Sequence, residues 1–201
     1  MIPTRFLPKL GCDTVQIQGF TIHVRLVDRA AVVGAVVGTG LSELKPPIGK
    51  TTPVGLMVYR FDKPAILQLC VATLCLLVHL AHMDSIPDCL ERFLSDPEIC
   101  FVGVNMIHWH FQLCYDYSIE CKSCIEVIEL VARYFQKPKS IHIGRGLAAV
   151  AAEVGLSLEE SPKKVDVDWQ AIVFSDEQIK LGIQYVYACQ LIGSKILAML
   201  L

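Results

Sequence analysis

Charge is scarce in this sequence. Asp, Glu, Lys and Arg make up only 19% of 201 residues, with 18 basic side chains against 20 acidic ones and a pI near 6.3. A net charge of −2 excludes a globally basic nucleic-acid binder, although a local basic patch is still allowed. Internal repeats and low-complexity segments are also missing, so the chain does not read as a repeat array. A secretory leader is not evident either, because MIPTRFLPKLG contains no long apolar stretch. The nine cysteines, an odd number, are scattered through apolar runs (Cys70, Cys75, Cys100, Cys189) instead of forming a disulfide scaffold. The expectation is a cytosolic or nuclear protein with reduced thiols, buried Cys serving as a small hydrophobe.

What is abundant is apolar. Hydrophobic residues reach 53% and the mean hydropathy is +0.49, greasy for a soluble monomer. Either apolar surface is covered in an oligomer or part of the chain meets a membrane. The run AILQLCVATLCLLVHLAHM from Ala65 is long enough to span a bilayer. Gln68, Thr73, His79 and His82 interrupt it, however, and no basic cluster follows. Two central strands joined at Ala72-Thr73 give the same hydropathy, since strands covered on both faces read as continuous apolar runs.

The remaining pattern is that of one α/β domain over residues 1–201, with a mixed sheet. Val15–Val27 suggests one or two strands with a turn or bulge at Gly19, and a short helix begins near Asp28. The stretch from Gly38 to Pro53 is rich in turn residues. Strands are expected at Val54–Tyr59, Ile66–Val71 and Leu74–Leu80, then a helix in IPDCLERFLSDP stopped before Pro97. A buried strand CFVGVN, a helix MIHWHFQLCYDY and an amphipathic helix SCIEVIELVARYF follow. After a basic loop (KPKSIHIGRG) come a helix in GLAAVAAEVG and a polar connection. The final long helix opens on a capping box, Ser175 with Gln178 three residues on.

Elements in this order, with LQLCV at Leu67–Val71, IPDCLERFLSDPEICFVGV at Ile86–Val104, GLAAVAAEVG at Gly146–Gly155, Asp168-Trp169 and SDEQI at Ser175–Ile179, make the chain resemble a known family. It is similar to plant 3′→5′ exonuclease domains of the Werner-syndrome exonuclease type, in the DEDD superfamily. The resemblance runs from about Asp13 to Leu197 and implies an RNase H-like fold. It also assigns the long apolar run to two adjacent central strands and removes the membrane reading. Active members hydrolyse phosphodiesters with two divalent ions held by four carboxylates. Mg²⁺ or Mn²⁺ needs oxygen ligands there to stabilise the attacking hydroxide and the leaving oxygen.

The resemblance places the first two acids at Met57 and Tyr59 of Gly55-Leu56-Met57-Val58-Tyr59. The third falls at Trp109 and the fourth at Tyr185, while Leu181 takes the place of the family's water-positioning Tyr. A thioether is a soft donor and a phenol is protonated at neutral pH, so neither suits Mg²⁺. Four large side chains are therefore expected to fill the former metal pocket together. Asp62, Glu43 and Asp116 do not have the spacing to rebuild a four-carboxylate site.

The expected protein is thus a pseudo-exonuclease without a cofactor, acting through self-association or assembly with a related exonuclease-like protein. The alternative is residual metal-dependent cleavage with Mg²⁺ or Mn²⁺ on unconventional ligands such as His110 or Asp62. Nucleic-acid binding without cleavage is a third reading, carried by Lys137, Lys139 and Arg145 of the basic loop, with His142 nearby. Lys163 and Lys164 read as solvent-facing, Trp169 as a packing residue, and Gly38–Gly40 as too weak for a phosphate loop. In HWHFQLC…CKSC, His108 and His110 point about 200° apart on a helix and cannot easily share an ion. His110 and Cys114, at i and i+4, could, and Cys121 with Cys124 forms a CxxC half-site. Two surface histidines and two helix-start thiols are the simpler reading.

Overall fold

The computed structural model describes residues 12–38, 53–60, 64–139, 145–158, 168–169, 171 and 174–200. The expected loop between Gly38 and Pro53, with Glu43 and most of the GTG, falls largely outside them, as do Asp62, His142, Lys163 and Lys164. Among these residues seven strands form one sheet in the order β1-β2-β5-β4-β3-β6-β7. They are β1 Cys12–Ile17, β2 Phe20–Val27, β3 Pro53–Arg60, β4 Pro64–Val71, β5 Leu74–Val78, β6 Cys100–Gly103 and β7 Cys124–Glu126. β2 and β5, β3 and β6, and β6 and β7 pair in parallel, while the remaining neighbours are antiparallel. The sheet is therefore mixed, as the sequence pattern implies.

The apolar run from Ala65 resolves into β4 and β5, turned at Ala72-Thr73 with Ala72 at φ 51°. Almost every side chain along both strands is buried, which explains why alternation is lost there. Among the described residues no helix is long and apolar enough to cross a membrane.

Among the described residues six α-helices cover the sheet: α1 Ala30–Val36, α2 Asp88–Leu94, α3 Met106–Tyr117, α4 Val127–Tyr134, α5 Leu147–Glu153 and α6 Asp176–Leu200. Strand parity sorts the core between two faces. Leu56, Val58, Leu67, Leu69, Leu76 and Val78 meet α1, α2 and α3. Ile66, Cys70, Cys75 and Leu77 meet α6, and Val102 meets α4, α5 and α6. The α6 backbone crosses β3 so closely that a Cβ at Gly55 would collide with the Val186 carbonyl oxygen. The capping box forms as read: the Gln178 N–H donates to Ser175 Oγ (3.2 Å) and the Ser175 N–H to Gln178 Oε1 (2.8 Å).

Two boundaries differ from expectation. The amphipathic helix starts at Val127, not Ser123, because Cys124–Glu126 pairs in parallel with β6 and closes that edge. β5 ends at Val78, and Leu80–His82 turns as a short 3-10 segment with Leu80 still buried.

Candidate functional site

Parallel strands β3 and β6 end on the same edge, and a crevice outside the carboxyl ends of strands is where α/β sheets hold ligands. An apolar cavity of about 500 Å³ opens there. Met57 and Tyr59 reach it from β3 and Val104 from the end of β6. Val127 and Ile128 come from α4, Arg145 and Gly146 from just before α5, Leu147 and Val150 from α5, and Tyr185 from α6. A second cavity of about 270 Å³ reaches Ile17 and Gln18 in the β1–β2 hairpin, and the two share Gly146, Leu147 and Tyr185 as walls. Tyr185, 38% exposed, is thus a wall of both cavities.

Met57 and Tyr59 project here because they alternate with Leu56 and Val58, which are committed to the opposite core. The Tyr59 ring stacks on Trp169, with centroids 4.2 Å apart and planes 14° from parallel. Trp169 is thus the packing residue expected. Burial pushes the Tyr59 phenol far above its ordinary value, and Tyr185 and Cys189 add to the rise. It stays neutral at any physiological pH. A thioether and a neutral phenol do not fit a hard divalent ion. Among the described residues no three His, Cys, Asp or Glu side chains converge to hold a metal ion.

The expected quartet does not gather in one place. Trp109, in the first turn of α3, packs against the core on the α1–α2–α3 face and is not a wall of the cavity. Its helix turns that side toward Leu113 and the far face of the sheet, so only Met57, Tyr59 and Tyr185 share the pocket. Leu181 lies half-buried one turn before Tyr185 and does not line it either. Asp116, near the end of α3, is also absent from the walls.

Glu126 is the acid that the sequence pattern hides, since it reads as one more residue of an amphipathic helix. It ends β7, and its carboxylate accepts the Met106 N–H at 3.0 Å. Asn105, the residue before α3, is left-handed (φ 56°) and gives no side-chain cap, so Glu126 serves as the cap from another element. Burial raises its pKa, and the bonds to the Met106 and Asn105 backbone hold it back down. The one sequence signal for this placement is that the edge of β6 needs a covering strand.

The cations of the basic stretch are engaged by neighbours. Arg145 pairs with Glu153 on the pocket rim, Lys139 lies 4.0 Å from Glu129, and Lys137 sits 5.3 Å from the centre of the Phe135 ring. His110 Nε2 lies 3.9 Å from Cys114 Sγ, so the structure brings that pair together. Cys121 and Cys124 also meet, with Cys124 at the start of a strand and not of a helix.

No protein-family model matches the sequence, and no curated protein matches it. The fold does have counterparts. The EXD2 exonuclease domain soaked in Mn and GMP superposes with a TM-score of 0.52 at 20% identity, over 87% of this chain and 90% of that one. The same domain soaked in Mn alone gives 0.51 at 20% identity over 87% and 89%. RNase D of Escherichia coli, an exoribonuclease involved in structured RNA processing, gives 0.66 at 15% identity; the match covers 87% of this chain but 44% of RNase D. This chain has the α/β fold of 3′→5′ exonuclease domains, with a mixed RNase H-like sheet flanked by helices.

Proposed function

We propose that this chain is a catalytically silent 3′→5′ exonuclease-like protein that works by binding. The observation that carries the reading is the pocket at the ends of β3 and β6, where a thioether and two phenols stand and no described wall residue is a carboxylate. Two-metal hydrolysis has nothing to hold its ions there. The basic side chains nearby already have partners, which favours protein contact over nucleic acid.

The contact surface is α3. Ile107, Phe111 and Tyr115 follow one another at i, i+4 and i+8 and are 70%, 66% and 89% exposed. The occupant is a second copy of this chain. An antiparallel twofold pairing sets Phe111 on Phe111 and Ile107 on Tyr115, so the row is complementary to itself and no charge interrupts it. Assembly of this kind accords with the high apolar content, and the reduced thiols with a cytosolic or nuclear setting.

Purified chain incubated with single-stranded or recessed-end DNA, or with RNA, in Mg²⁺ or Mn²⁺ is expected to leave the substrate intact and to gain no thermal stability from either ion. Light scattering should give a dimer that Phe111→Glu converts to monomer. Degradation that Tyr185→Ala abolishes would refute the silent reading. A chain that is monomeric alone but captured by a purified exonuclease-like protein would replace self-assembly with hetero-assembly.

A further inference from the structure

We propose that Cys121 and Cys124 form a redox-active dithiol, a modification site at the β6–β7 edge that exchanges with small disulfides of the glutathione type. Their Sγ atoms lie 2.8 Å apart across the two-residue step Lys122-Ser123. That step is pinned in place. The Phe101 N–H donates to the Ser123 carbonyl (2.8 Å), the Lys122 N–H donates to the Leu94 carbonyl (3.3 Å), and Ser123 Oγ donates to the Pro97 carbonyl (3.1 Å). The backbone that carries the two sulfurs is therefore held by the fold on both sides of the step.

The pair is also asymmetric in the way that exchange chemistry uses. Cys121 is 3% exposed, whereas Cys124 is only half-buried at the start of β7. The hydrogen bond with Cys121 draws the Cys124 thiol down, while the same bond and burial push Cys121 up. The outer sulfur is thus the nucleophile and the inner one the resolving group. Cys70 and Cys75 give the contrast. Their sulfurs are as close, at 2.7 Å, but both residues are 0% exposed in the middle of the sheet, where no reagent reaches them.

The chemistry balances as follows. The Cys124 thiolate attacks one sulfur of glutathione disulfide, forming a mixed disulfide and expelling a glutathione thiolate, which takes up a proton. Cys121 loses its proton and attacks Cys124 Sγ, forming the Cys121–Cys124 bond and expelling the second glutathione thiolate, which is protonated in turn. The two cysteines give up two electrons and two protons, and one glutathione disulfide becomes two glutathione thiols.

The test treats the full-length reduced chain with glutathione disulfide, followed by trypsin and a glutamate-specific protease. Cleavage after Glu120, Lys122 and Glu126 puts Cys121 and Cys124 on separate peptides, and Cys100 and Cys114 on another. The expected product is Cys121-Lys122 disulfide-linked to the peptide Ser123–Glu126. Limited iodoacetamide should label Cys124 about tenfold faster than Cys89 in the reduced protein. Cys121→Ser should leave a lasting glutathione adduct on Cys124. A link to the peptide holding Cys100 and Cys114, no link at all, or Cys124 labelling no faster than Cys89 would overturn the assignment. So would a zinc ion retained through dialysis that shields both sulfurs.

Discussion

Strand β3 sends Leu56 and Val58 to the α1–α2–α3 face of the sheet, and Gly55, Met57 and Tyr59 to the α6 face. The first face is apolar, with Val33, Leu90, Phe101 and Leu113 closing it and Met106 and Cys121 packed among them. The second carries the irregularities. Buried Gln68 and Gln190 lie there, His79 packs on Phe174 beside it, and the cavity opens at its end. The face without the cavity is the more evenly packed. The face that borders the cavity keeps buried polar side chains and open space.

The sharpest way to break that comparison is to truncate neighbours on one strand. Leu56→Ala, at a 1% exposed position, is expected to cost about 3–4 kcal/mol of stability in denaturant melts. Met57→Ala, one residue on but already facing a cavity, should cost about 1 kcal/mol, because little new void is created. Equal losses at the two positions would show that the faces do not differ in packing.

His79 gives a pH test of the same contrast. Burial lowers its pKa to about 4, and the neighbouring His82 lowers it further than Asp28 raises it. The unfolded chain, with an imidazole near pKa 6.5, binds the proton first as pH falls. Stability from neutral His79 is therefore full above about pH 6.5 and is lost as pH drops toward 4, by on the order of 2 kcal/mol. His79→Leu should flatten the melting profile across that window. An unchanged slope would place the titration elsewhere.

The smallest effect expected is a gain. Gln68 is 0% exposed, lies against Gly182, and neither end of its amide has a hydrogen-bond partner among the described residues. Gln68→Met keeps the length and removes the unpaired dipole, so stability should rise by about 1 kcal/mol. A loss would mean that the amide is satisfied and that this face is better made than it looks.

Much of this molecule is legible in its sequence. The run from Ala65 declared two covered strands through its own polar interruptions and the turn at Ala72-Thr73. Ser175 and Gln178 marked the start of α6, since a capping box is built from residues three apart in sequence. The Cys124–Glu126 strand was not legible. Three residues have no period of their own, and they extend only because β6 offers an open edge.

The candidate site divides along the same line. That Met57, Tyr59 and Tyr185 are not carboxylates is a matter of sequence, and so is the chemistry they deny to a hard metal ion. Which of them stand together was decided by tertiary packing. Strand parity and the close crossing of α6 over Gly55 bring Met57, Tyr59 and Tyr185 to one pocket, while the turn of α3 carries Trp109 to the other side of the sheet. Side-chain identity is local, but the direction a side chain takes is set by what its element packs against, and that depends on residues far along the chain.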